Sequence, residues 1–142
     1  MDFLTKLMLT GSMALCLLTV THLSTMAQAK EATAIRVVSP VYPEVATDSN
    51  ISGTVTLKVE VNCKGEVIKV DSTGEHRLLV ALSERAVRRW VFKQVNCKEG
   101  NRISAIPFVF TLLPTDSSED QAVIFSPRNA LEIRARRREI LP

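Results

Sequence analysis

The sequence predicts a small two-layer α+β domain: a three-stranded antiparallel sheet with one helix on a face, in the chain order β-β-α-β. Three observations predict it. Residues 53–61 (GTVTLKVEV) alternate apolar and polar side chains with period two, the mark of a strand with one buried and one wet face. Residues 76–90 (HRLLVALSERAVRRW) change to helical spacing, with Leu79, Leu82, Ala86 and Trp90 in one stripe. Residues 102–113 (RISAIPFVFTLL) return to alternation, with Ile106, Phe108, Phe110 and Leu112 on the more apolar face.

The elements between these follow from turn chemistry. Asn62–Gly65 is a hairpin turn with Gly65 available for positive φ. The return strand is then Glu66–Ser72, with Ile68 and Val70 expected inward. Basic residues at the end of the helix, Arg85, Arg88 and Arg89, suit its dipole. Val91–Val95 is short and extended, and Asn96–Asn101 is a turn. Upstream, Pro40 and Pro43 force extended backbone on the residues before them.

Strand order follows from direction. The helix carries the chain back along the sheet, so the third strand stays antiparallel only beside the first. The order is 2-1-3. Pro107 agrees, because a residue without a backbone donor belongs on an edge strand, facing out. Backbone groups of Ala105, Val109 and Thr111 then face the same open side as Pro107. An extended peptide can add a strand at such an edge. The alternative is that the protein's own N- or C-terminal segment covers it.

The two ends of the chain read differently from the middle. Residues 1–29 have the order of a secretory signal: a short n-region with Lys6, an apolar run of about fourteen residues (Leu7–Val20) and Ala27-Gln28-Ala29 before a cleavage point. The run is short of the roughly twenty residues a spanning helix needs. Cleavage after Ala29 is the expectation, and an uncleaved, inner-membrane signal anchor is the alternative. Residues 30–114 form the domain. Residues 115–142 are an acidic linker (TDSSEDQ) followed by a basic segment. There Ser126-Pro127 resembles a helix start, and Asn129–Leu141 reads as a short helix rich in Arg134, Arg136, Arg137 and Arg138. That segment is either a frayed, solvated tail or a docking element for a membrane surface or an acidic partner.

Two turns share a sequence, VNCKG at 61–65 and VNCKEG at 95–100. The strand order puts both at one end of the sheet. A disulfide Cys63–Cys97 is therefore expected, which export permits. The alternative is two free thiols in flexible loops.

Composition and motifs give no case for an enzyme. The net charge of +3 is mild and mixed, and no aromatic–basic interleaving suggests nucleic acid. His76 is the one histidine beyond the leader, and two cysteines with a remote histidine do not make a zinc site. There is no Cys-x-x-Cys motif and no Gly-rich phosphate loop. No catalytic residue, cofactor or metal is expected.

An ordered set of motifs carries a resemblance. They are V-x-P-x-Y-P-x-x-A at 38–46, I-x-G-x-V-x-L-x-V-x-V at 51–61, K-G-x-V at 64–67, A-V-R-R-W-x-F-K at 86–93 and I-P-F-x-F at 106–110. Together they resemble the C-terminal domain of the TonB energy-transducer family over about residues 36–114. Pro40, Tyr42, Pro43, Gly53, Gly65, Trp90 and Phe92 are the positions that match. The resemblance implies a periplasmic module of Gram-negative bacteria that grips a short segment of an outer-membrane transporter, or another envelope protein, by strand addition at its last strand. Carried onto this chain, that edge is Arg102, Ala105, Pro107, Val109 and Thr111, with Tyr42, Thr56 and Lys58 framing it. Strand exchange through the same edge would make a homodimer. Full transducers also carry an anchor and a long Pro-rich spacer, whereas Lys30–Ser39 reaches at most about 35 Å. The resemblance thus implies the binding module. A membrane-anchored structural subunit of an envelope complex, with no energy-transducing role, is the alternative.

Overall fold

The computed structural model describes residues 31–126 and 129–138. The expected leader, its cleavage point after Ala29 and the last residues of the chain lie outside them. The elements in chain order are β1 (Ala34–Arg36), α1 (Glu44–Asp48), β2 (Gly53–Val61), β3 (Val67–Thr73), α2 (Arg77–Val87), β4 (Val91–Phe92), β5 (Arg102–Leu113), β6 (Gln121–Phe125) and β7 (Leu131–Arg136).

The main sheet has five strands in the order β3-β2-β5-β7-β6. Its first three members are the antiparallel trio in the expected order, with β2 between β3 and β5. The expected count of three is corrected by the C-terminal segment. Residues 131–136 are not helical. They form a strand that runs parallel to β5, from Phe108↔Leu131 to Leu113↔Arg136. Residues 121–125 pair antiparallel with that strand. The reason is legible afterwards: Leu131, Ile133 and Ala135 are buried while Glu132, Arg134 and Arg136 are not. That is period two, and the abundance of arginine hid it. The segment after Pro114 therefore belongs to the same sheet as the domain before it.

One face of the sheet carries the core. Val55, Leu57, Val59 and Val61 of β2 lie beside Ile106, Phe108 and Phe110 of β5, then Leu131, Ile133 and Ala135 of β7, all buried. Helix α2 supplies Leu79, Ala86 and Val87, and its expected end at Trp90 is corrected to Val87. Trp90 follows in a turn, stacks on Phe108 at 5.6 Å between centroids, and donates its indole N–H to the Val38 carbonyl at 2.8 Å. β1 and β4 pair antiparallel as a second, two-stranded sheet. In β3 the expected inward Ile68 is instead 48% exposed. The register shifts between Glu60↔Lys69 and Val61↔Val67, so Ile68 is the extra residue of a bulge, and Val67 and Val70 turn inward.

The twin turns meet as expected. Cys63 and Cys97 are disulfide-bonded with Cα atoms 4.9 Å apart. Their shared sequence has a local cause. Asn62 accepts the Lys64 N–H at 3.0 Å, and Asn96 accepts the Lys98 N–H at 3.1 Å, so each asparagine folds the same turn around its cysteine. The Val95 N–H also donates to the Cys63 carbonyl at 3.0 Å. With a sequence separation of 34, replacing both cysteines by serine should lower stability by about 3–4 kcal/mol in the chain-entropy description. Urea unfolding of the two proteins side by side measures it, and a difference below about 1 kcal/mol would show that the hydrogen-bonded turns alone hold this end.

Candidate protein-binding edge

The outer side of β5 is set by backbone direction. The Arg137 N–H donates to the Leu113 carbonyl at 3.0 Å, so Leu113 turns its backbone toward β7. With alternation, Thr111, Val109, Pro107, Ala105 and Ile103 turn theirs to the same side. The expected set Ala105, Pro107, Val109 and Thr111 does share one side of the strand. The alternative, cover by the protein's own C-terminal segment, holds for half of this side. From Phe108 to Leu113 it is paired with β7. Val109 and Thr111 are thus interior residues of the sheet. The Thr111 hydroxyl also donates to Glu132 at 3.3 Å. Glu132 in turn accepts from Arg134 at 2.8 Å, which lowers the carboxyl's pKa below its ordinary value.

From Arg102 to Pro107 no strand pairs with the outer side among the described residues. Ile103 is 43% exposed and Ala105 is exposed. Directly across β2 stand Lys58 opposite Ala105 and Thr56 opposite Pro107, both exposed. Pro107, which has no N–H to donate, marks the boundary between the paired and unpaired halves.

Two expected site residues are placed elsewhere. Arg102 is buried on the helix side of the sheet, where its guanidinium donates to the Lys93 carbonyl at 2.7 Å and its Nε has no partner. Tyr42 does not frame the edge. It is buried with its ring edge-on to Phe110 at 5.5 Å, and its hydroxyl donates to the Ile51 carbonyl at 2.6 Å. Burial pushes its pKa up to about 12, against the opposing charge of Arg137. Both changes have one cause: even-numbered side chains of β5 point to the core, and the Pro40–Tyr42–Pro43 stretch packs over that face.

The remaining motif positions are structural as well. Phe92 is fully buried in β4, and its N–H donates to the Gly65 carbonyl at 2.9 Å. Gly53 (φ +145°) opens β2. Pro40 is buried.

Sequence reasoning missed a latch between the two ends of the chain. Asn129, at φ +59°, donates its side-chain amide to the Ala32 carbonyl at 2.7 Å. The Ala32 N–H donates to the Ser104 hydroxyl at 2.9 Å. Ala32 is fully buried, and Asn129 nearly so. The hairpin of β6 and β7 is therefore tied to the N-terminal lead-in as well as to β5. An asparagine followed by an apolar alternation was the available signal.

A cavity of about 740 Å³ lies between Val41–Thr47 and the end of β7. Its charges are mostly self-paired: Arg136 with Asp120, and Arg138 with Glu44 at 2.6 Å. Among the described residues, no three His, Cys, Asp or Glu side chains group to hold a metal ion, and no helix is long and apolar enough to cross a membrane.

The family model described as Gram-negative bacterial TonB protein C-terminal matches residues 38–112, from the Pro-Tyr-Pro stretch to the end of β5. No curated protein matches the chain.

Proposed function

We propose that this chain, which belongs to the Gram-negative bacterial TonB protein C-terminal family, is a periplasmic binding module rather than an enzyme. It takes up an extended segment of an outer-membrane transporter, or of another envelope protein, by strand addition. The seat is the unpaired half of β5, Arg102–Pro107, and not the whole strand. The observation that carries this reading is the division of β5 at Pro107. Beyond it β7 already occupies the outer side, while before it Ile103 and Ala105 present outward N–H and C=O groups to no strand among the described residues. Unpaired edge groups are the template for β-augmentation. A partner segment would lie end to end with β7, with Lys58 and Thr56 one strand behind it.

Titration of an extended transporter-derived peptide, followed by amide NMR, tests this. Ile103 and Ala105 should shift, while Val109 and Thr111, bonded to β7, should stay. Shifts confined to Val109 and Thr111 would mean that the peptide displaces β7 instead. Silence throughout at millimolar peptide would sink strand addition on β5.

A second reading has its own support. β7 covers half of the recognition edge with buried Leu131 and Ile133, which suits a domain kept as a structural subunit of an envelope complex. An anchored subunit retains residues 1–29, so the intact mass of the exported protein separates the readings.

A further inference from the structure

We propose that the outer face of α2 is a docking surface for an anionic phospholipid membrane. At 3.6 residues per turn, Arg77, Ala81, Arg85 and Arg88 fall within about 80° of one another around the helix axis. All of them are exposed, while Leu79, Ser83, Ala86 and Val87 on the opposite side are buried. The row is about 16 Å long at 1.5 Å per residue. Arg89 is exposed on its flank, as is Leu78, at 37%.

No acid neutralises this face. Glu84 is the one acid in α2 and has the spacing to pair with Arg88, but its carboxylate accepts instead from the Ser72 hydroxyl of β3. Among the described residues, no ion pair joins Arg77, Arg85, Arg88 or Arg89 to a carboxylate. In the C-terminal segment, by contrast, Arg134, Arg136 and Arg138 are held by Glu132, Asp120 and Glu44. The sheet's far face is balanced too, with Lys58, Lys69 and Arg134 set among Glu60, Asp71 and Glu132. A mild net charge of +3 thus hides one face of a single sign. Nor does the helix itself call for this charge. Arg77 sits in the first turn, where the dipole disfavours a cation; no acid accompanies it there, and His76 makes no side-chain cap.

Shape and charge type point to the occupant. The row stands on the convex side of a helix, and none of its residues lines the cavity beside β7, so it fits a broad, flat partner better than a small molecule. All its cations are arginine, whose planar forks pair with phosphate oxygens two at a time. Leu78 at the rim offers an apolar side chain to the headgroup layer, which an acidic peptide would leave in water. Helix α2 packs on β2 and β3. A membrane on its outer side therefore leaves the unpaired half of β5 free, and this proposal stands apart from strand addition there.

Co-sedimentation of the full chain with vesicles tests it. Vesicles of equal parts phosphatidylglycerol and phosphatidylcholine should bind more protein than phosphatidylcholine alone. The difference should fade as salt shortens the Debye length from ~10 Å at 0.1 M to ~3 Å at 1 M. A retained leader would act on both vesicles and so would not create that difference. Each arginine near an anionic surface contributes about fivefold to partition, so the double variant Arg85→Gln/Arg88→Gln should bind about thirtyfold more weakly. Glutamine is a good helix former, and far-UV circular dichroism should be unchanged. Lys64→Gln/Lys69→Gln removes the same charge from exposed sites off the helix and should weaken partition less than about twofold. Equal binding to the two vesicles overturns the proposal, and so does an equal loss in the two double variants. Soluble polyglutamate separates the other anionic partner. If it binds through Arg85 and Arg88 while vesicles carry no protein down, the face serves an acidic polypeptide and the membrane proposal fails.

Discussion

Ile133→Asp should detach the C-terminal hairpin from the sheet and lower stability by about 4 kcal/mol or more. Ile133 is fully buried in β7, between Phe110 on β5 and Val123 on β6. Burying its side chain contributes roughly 1.5–3 kcal/mol, and a carboxylate in the same place must either be desolvated or leave the core. Leaving means unpairing β7, which also uncovers Leu131 and Ala135. The chain has a way to yield locally, since β3-β2-β5 and α2 retain their own contacts. Hydrogen exchange should therefore rise first at Val109 and Thr111, the β5 residues whose outer side β7 occupies, and little at Leu57 or Val59. Ile124→Asp is the control. It sits in the same hairpin at 43% exposure, and its cost should stay below about 1 kcal/mol. Equal costs for the two would mean that β7 is not part of the core.

Gly65→Ala should be the most damaging single methyl in the described residues. Gly65 has φ +86°, and a Cβ there would lie 2.0 Å from the Phe92 carbonyl oxygen and 2.9 Å from its carbon. Both are backbone atoms, so no side chain can swing aside. The β2–β3 turn would have to lift off β4, breaking the Phe92 N–H bond to Gly65 and pulling on the Cys63–Cys97 link beside it. A cost of about 3 kcal/mol or more is expected. Gly100 separates the two causes. It has a similar φ of +74° but nothing within 4 Å of a built Cβ. With ψ −169°, Gly100 sits in a region that only glycine adopts readily, so Gly100→Ala should carry that backbone penalty alone, about 1–3 kcal/mol, and less than Gly65→Ala. Paired denaturant curves measure both, and equal losses would show that the Phe92 contact carries no energy.

The contrast between these two glycines shows how far local reading reaches. Gly65 was expected at positive φ from its place in a hairpin turn, and that holds. Its contact with Phe92 was not legible, because the two meet only when β4 crosses the turn. The same division runs through the edge. Pro107 reported which way its backbone faces, since a missing donor is a local fact. Whether another strand lies on that side depends on residues more than twenty positions further on.

Period two in residues 53–61 and 102–113, the helical stripe in 76–90 and the direction of each strand were enough to determine the β-β-α-β order, the core face and the meeting of Cys63 with Cys97. Each is set by side-chain spacing and chain direction, which a sequence states directly. The five-stranded sheet, the bulge at Ile68 and the half-covered edge were decided by tertiary structure. There the energy comes from burying Leu131, Ile133 and Ala135 against a surface built by β5, and from Asn129 reaching Ala32 across 97 positions. Alternation in a charged segment has no value until a face exists to bury it.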